Sequence, residues 1–338
     1  MIDHRFYVLF LLSLLLFLES VNGEKLQMVV VPAVFREWSR KNDDSDPFAN
    51  RPSWTFPNNL NNEFESKGKH NPYNISVAVH YQKLNPEMPG YIKNKGTEGG
   101  VYLNYIVDNY HNFPDIVVFV HGHPQNHIIG WPDILTCIKA NISYVSINNY
   151  MGVIDRTTNA WSRQGGFNDI YMEQCWRDVL KIIYDFQGQD DNKDSFSHLV
   201  PSTEPIMVSM YCCQQFAISR FQIQKRHLSV WKNLLRVVNQ QDACHLGYPE
   251  FNKLYAAKKP EYADAVKNNL IPPEPFEGPG HFAGGAMEHL AHVIYGDYTL
   301  SSQKNKMVRD TKNSFIENCE PCNGDWGAKE CKSEKKIV

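Results

Sequence analysis

Three imidazoles fall within seven residues in His121-Gly122-His123-Pro124-Gln125-Asn126-His127, directly after the apolar run Ile116-Val117-Val118-Phe119-Val120. His121 and His123 are two apart, so extended backbone puts both on one face. Gly122 between them lets another group approach the backbone closely, and His127 can return from the following loop. Three imidazoles suit a borderline divalent metal such as Zn or Mn. The same segment also reads as a hydrogen-bonded polar turn at a strand end. Glu98, in Gly96-Thr97-Glu98-Gly99-Gly100, opens a predicted helix, where a carboxylate complements the helix dipole. Glu288 and His292 stand at i and i+4 of a late predicted helix. On one face they could act as an acid/base couple or as ligands, or form a solvated pair worth a few tenths of a kcal/mol, roughly 0.2–0.5. Cys212 and Cys213 open the block Cys212-Cys213-Gln214-Gln215-Phe216-Ala217-Ile218-Ser219-Arg220. A cysteine nucleophile needs a reduced thiol, which an oxidising compartment disfavours. The acidic stretches Asp43-Asp44-Ser45-Asp46 and Asp190-Asp191 read as solvated loops. The P-loop, GxGxxG, GxSxG and HExxH patterns do not occur.

The elements that must hold these residues alternate between strand and helix. Lys25 to Val34 is a β-branched run and reads as a buried strand. Residues 39–73, rich in Asn, Asp, Pro and Ser, read as a long surface excursion. Ile75 to Tyr81 alternates as a strand does. Gly96 to Tyr110 has helical spacing, and Ile116 to Val120 suits a central strand covered on both faces. Tyr144–Ile147, Met207–Tyr211 and Phe216–Ser219 read as short strands. Cys175–Phe186, Leu228–Val238 and Ala286–Ile294 read as helices. This order predicts an α/β domain with a mostly parallel central sheet flanked by helices. In such a sheet ligands sit beyond the carboxyl ends of the strands, where the histidine segment falls.

Residues 1–23 read as a signal peptide: Arg5, then the apolar stretch Phe6–Leu18, then a small-residue cleavage site at Val21-Asn22-Gly23. The apolar stretch is short for a span, which needs about 20 residues. No stable membrane span is expected after cleavage, and the mature chain is expected in the secretory lumen or outside the cell. The sequons Asn74-Ile75-Ser76 and Asn141-Ile142-Ser143 fit a glycoprotein of that compartment. So does an even count of 8 cysteines. A formal net charge of −3 with 21% charged residues offers nucleic acid no basic surface. Residues 24–300 are expected to form one α/β domain and 301–338 a polar tail. Cys319, Cys322 and Cys331 lie in the tail; Cys137, Cys175, Cys212, Cys213 and Cys244 lie in the body. Both sets are odd, so full oxidation within one chain ties the tail to the body by a disulfide.

Several of these motifs, taken together, resemble the domain of unknown function 3431 family over about residues 26–297. They are Thr97-Glu98 with the Tyr102–Tyr110 stretch, Phe113 to His123, the Cys212–Arg220 block, and Met287 to Leu290 with His292 to Gly296. The layout of that family looks like nucleotide-sugar glycosyltransferases of the GT-A type. The resemblance implies a nucleotide-sugar donor, a glycan or protein acceptor and a divalent metal on the donor diphosphate. Where GT-A enzymes carry an acidic D-x-D, this chain has His121-Gly122-His123. On this reading His121, His123 and His127 would hold the metal or the donor phosphates. Glu98 or Glu288 would be the general base. Gln215, Arg220 and His292 would contact substrate, with Arg220 on a phosphate or carboxylate. The alternative is a non-catalytic secreted domain of the same fold that binds carbohydrate or protein. Convergence of His121, His123, Glu98 and Glu288 in one place would favour the enzyme.

Overall fold

Three successive valines in Leu26–Ala33 give a chain stiff at χ1, which favours extended backbone, and this segment is strand β1. The computed structural model describes residues 25–68, 71–93, 96–126, 128, 131–148, 151–154, 170–187, 208–211, 214–240 and 280–296. The other strands are β2 Tyr73–Val77, β3 Ile116–His121, β4 Tyr144–Ser146, β5 Met151–Ile154, β6 Val208–Tyr211 and β7 Phe216–Ser219. The helices are α1 Asn59–Ser66, α2 Thr97–Asn109, α3 Ile170–Gln187, α4 Arg220–Gln224, α5 Leu228–Gln240, α6 Gly280–His289 and α7 Ala291–Ile294.

Five strands make one sheet in the order β2-β1-β3-β7-β4. β1 pairs in parallel with β2 and with β3, whereas β7 is antiparallel to both β3 and β4. β1 to β4 therefore share one direction and β7 alone is reversed. The α/β class stands, and the sheet is mixed at β7. Four residues, Phe216-Ala217-Ile218-Ser219, carry no signal for strand direction. β5 and β6 form a separate two-stranded antiparallel ladder.

β3 is buried on both faces, as its continuous apolar run predicts. Val117 and Phe119 join a core with Tyr102, Trp176, Trp231, Leu234 and Met287, which come from α2, α3, α5 and α6. Ile116, Val118 and Val120 face a second core with Trp38, Trp54, Leu60 and Phe64. Burying each such side chain stabilises by about 1.5–3 kcal/mol. The second core corrects the reading of residues 39–73 as a surface excursion. They hold α1 and a 3-10 turn at Ser53–Thr55, and they cover the sheet face that the other helices leave open. Two more boundaries move. The second strand ends at Val77 rather than Tyr81. The late helix starts at Gly280 and breaks at Leu290, whose φ is −98 and ψ 7.

α6 crosses the first turn of α2 at very close range, and glycine makes this possible. A Cβ on Gly99 would lie 2.6 Å from Met287 Cβ, and one on Gly284 would lie 2.4 Å from Thr97 Oγ1. Gly99→Ala is therefore expected to destabilise by about 1–3 kcal/mol, the usual cost of overpacking. Chemical denaturation reads this directly. An unchanged midpoint would show that the two helices separate without cost.

Among the described residues no helix is long and apolar enough to cross a membrane. The expected signal peptide, the polar tail and His127 lie outside the described residues.

Candidate functional site

The carboxyl ends of β1, β2, β3 and β4 meet at one edge of the sheet, as their shared direction requires. His121 is the last residue of β3 and pairs in register with Ala33 near the end of β1. Its N–H donates to Gln215 Oε1 at 3.0 Å, prolonging the β3–β7 ladder by one side chain. Gln215 also donates through Nε2 to Asn148 Oδ1 at 3.0 Å, and its carbonyl accepts from Asn148 Nδ2 at 3.0 Å. Gln215, expected to contact substrate, is thus a buried clamp joining the ends of β3, β7 and β4.

Beyond β1 the chain turns so that Glu37 lies over Gly122. A Cβ there would fall 3.1–3.3 Å from the Glu37 side chain, so the absence of a side chain at Gly122 is what admits the carboxylate. Phe35 N–H donates to Glu37 Oε2 at 2.5 Å and holds it. Trp38, the next residue, is fully buried and donates from Nε1 to the Gly122 carbonyl at 2.8 Å.

α2 begins at this edge. Its first residue, Thr97, has φ 48, a left-handed conformation that strains a β-branched residue. Glu98 follows. Burial alone would push its carboxyl up, but the positive charges of His121 and Lys83 outweigh this. Its own backbone N–H and the Thr97 hydroxyl add to them, and the carboxyl is held below the usual carboxylate range. Lys83 is 6% exposed. It comes from the loop after β2, where Gln82 bridges Val34 and Tyr91. One helical turn after Glu98, Tyr102 is fully buried, with its ring 4.6 Å from that of Phe119. Burial first, then the charges of Glu98, Tyr295, Glu288 and Glu37, push its phenol well above the usual range. Glu37, Glu98 and Glu288 are thus electrostatic neighbours of one hydroxyl, with His121 and Lys83 acting on Glu98.

This edge brings together three of the residues singled out in the sequence, namely Glu98, His121 and Glu288. His123 is half-buried at the start of the 3-10 turn Pro124–Asn126, where its carbonyl accepts from Asn126 N–H at 3.1 Å. His127 lies outside the described residues. His292 is buried on α7, beyond the Leu290 break, so it does not continue the helix that carries Glu288. Arg220 sits at the opposite end of the sheet. Its guanidinium pairs with Asp115 at 3.1 Å, just before β3 begins. The reversal of β7 puts it there, since Ser219 pairs with Ile116. Lys83, Glu37 and Asn148 enter the site without a motif in the sequence, while Tyr102 and Gln214 lie in motifs that gave them no role. For Tyr102 the i, i+4 spacing from Glu98 was a further signal. Among the described residues no group of three or more His, Cys, Asp or Glu could hold a metal ion.

Because the folded pKa of Glu98 is depressed, its ionisation adds stability above the unfolded carboxylate value, and acidification through the folded value removes it. Wild type and Glu98→Gln should therefore differ in stability most at neutral pH, and wild type should lose ground to the variant as pH falls through the carboxylate range. Melting both proteins across pH measures this. Parallel curves would show that Glu98 is not held ionised by its neighbours.

The chain matches the family described as "Protein of unknown function (DUF3431)" over residues 67–248. It belongs to that family. No curated protein and no solved structure matches it. The matched stretch includes Lys83, Glu98, Tyr102, His121 and Gln214, while Glu37 and Glu288 lie outside it.

Proposed function

We propose that the chain is a glycosyltransferase-like enzyme of the secretory pathway, which moves a sugar from a nucleotide-sugar donor to an acceptor hydroxyl on a glycan or protein. The observation that carries this reading is the grouping of Glu98 and Glu288 around Tyr102, with His121 beside Glu98, at the carboxyl edge of the co-directional strands. Such edges are where open α/β sheets take ligands. Two further points support it: the family resemblance to the GT-A layout, an analogy of fold, and the mixed sheet flanked by helices. Glu288, half-buried at the rim, would take the acceptor proton. Glu98, held ionised, would orient that hydroxyl as a hydrogen-bond acceptor. The acceptor oxygen would bond to the anomeric carbon as the bond to the diphosphate breaks, and the nucleoside diphosphate would leave with the electron pair. The described residues do not complete a metal site. The exposed sequon residues Asn74 and Asn141 suit glycosylation in the same compartment. The signal peptide and the disulfide tie of the tail belong to this reading as well.

Chain secreted from expressing cells, incubated with nucleotide sugars and mixed acceptors, should release nucleoside diphosphate with an acceptor-dependent rate. Its intact mass should correspond to a start near Glu24, and a non-reducing peptide map should link a tail cysteine to the body. Ligand binding without turnover would favour the non-catalytic alternative. Retention of Met1 would show the apolar segment to be an anchor rather than a cleaved signal peptide.

A further inference from the structure

Gln214 and Gln215 are adjacent, both buried, and opposite in their hydrogen bonding. The Gln215 amide is engaged on both atoms. The Gln214 amide, on a residue 3% exposed, has no hydrogen-bond partner on either Oε1 or Nε2 among the described residues. The Tyr102 hydroxyl, fully buried, has none either. Buried polar groups are ordinarily paired, and an orphan calls for a reason such as a bound ligand or water. Gln214 also holds φ 44, a left-handed conformation that a long side chain adopts only under constraint from its surroundings. Both orphans border Glu98. Gln214 Nε2 lies 2.9 Å from where a Cβ on Gly99 would stand, and Tyr102 is one turn below Glu98 on the same helix face.

The charges around them select the ligand. Tyr102 has carboxylates from Glu98, Glu288 and Glu37 as electrostatic neighbours. A phosphate at that hydroxyl would meet like charge from all three, although His121 and Lys83 stand beside Glu98. A sugar hydroxyl can donate to a carboxylate while accepting from the tyrosine hydroxyl or the glutamine amide, because it carries one proton and two lone pairs.

We infer that Tyr102 and Gln214 form a recognition subsite for the hydroxyl groups of an uncharged saccharide, the acceptor rather than the nucleotide donor. This rests on the proposed transferase reading for the word acceptor, and on the orphaned groups alone for the saccharide.

The test is thermal melting of the full secreted chain, without donor, against millimolar methyl glycosides of glucose, mannose, galactose and N-acetylglucosamine, with uridine diphosphate in parallel. A ligand that binds only the native state raises its melting temperature. At least one glycoside is expected to raise it. Tyr102→Phe and Gln214→Leu should each weaken that glycoside at least tenfold and leave any nucleotide shift unchanged. Without ligand, Tyr102→Phe should melt at or above wild type, because the hydroxyl removed has no hydrogen-bond partner among the described residues. Three results would overturn the inference: no glycoside shift, a shift that survives in both variants, or an unliganded Tyr102→Phe that melts well below wild type. Glycoside binding without turnover would leave the subsite standing and sink the transferase reading. Turnover without glycoside binding would do the reverse.

Discussion

On the proposed transferase reading, Glu288→Gln is expected to slow glycosyl transfer about 10²–10⁴-fold, the usual contribution of a positioned general base, while the protein melts close to wild type. Glutamine keeps the shape and removes the proton acceptor. Turnover under saturating donor and acceptor, with a melting curve on the same preparation, checks both parts. An undiminished rate would remove Glu288 as the base and leave Glu98 as the candidate. A large fall in melting temperature would assign Glu288 a role in docking α6.

Trp38→Ala is expected to cost about 3–5 kcal/mol of stability, as large aromatic truncations in cores do. The side chain is fully buried, with its ring 5.9 Å from that of Trp54 in an edge-on arrangement and 6.3 Å from that of Phe48. It also satisfies the Gly122 carbonyl, next to His121. Trp38→Phe isolates that second role. It keeps an aromatic ring and leaves the carbonyl unpaired, at about 1–3 kcal/mol. Urea denaturation at constant m-value measures both. Equal, small losses in the two variants would show that neither the ring nor the indole N–H holds the strand end.

The strands were legible because valine and isoleucine runs at Leu26–Ala33 and Ile116–His121 have no comfortable alternative conformation. His121 and Glu98 were legible because one ends such a run and the other opens a periodic helix. Lys83 and Glu37 were not. Both lie in loops, where no period links a residue to its spatial neighbours, and only tertiary folding carries them to the site. Trp38 and Trp54 were hidden for the same reason, since 16 positions of polar, aperiodic chain separate two residues whose rings touch. Arg220 was misplaced by one fact, the direction of β7. Reversing a four-residue strand moves everything after it to the far end of the sheet. The break at Leu290 had no marker either, as neither glycine nor proline stands there.

The site draws its parts from distant stretches of chain, and synthesis delivers them in order. Glu37, Lys83, Glu98 and His121 all belong to the first 121 residues, and Glu288 arrives only with α6. A chain emerging from the ribosome can form β1, β2, β3 and α2 and hold Glu98 ionised well before Glu288 exists to face it. Domains fold as they are made, amino-terminal parts first. On the proposed reading the base is thus installed last, when α6 reaches the two glycine contacts at the start of α2, so a newly made chain would lack its base until nearly all of its core is in place.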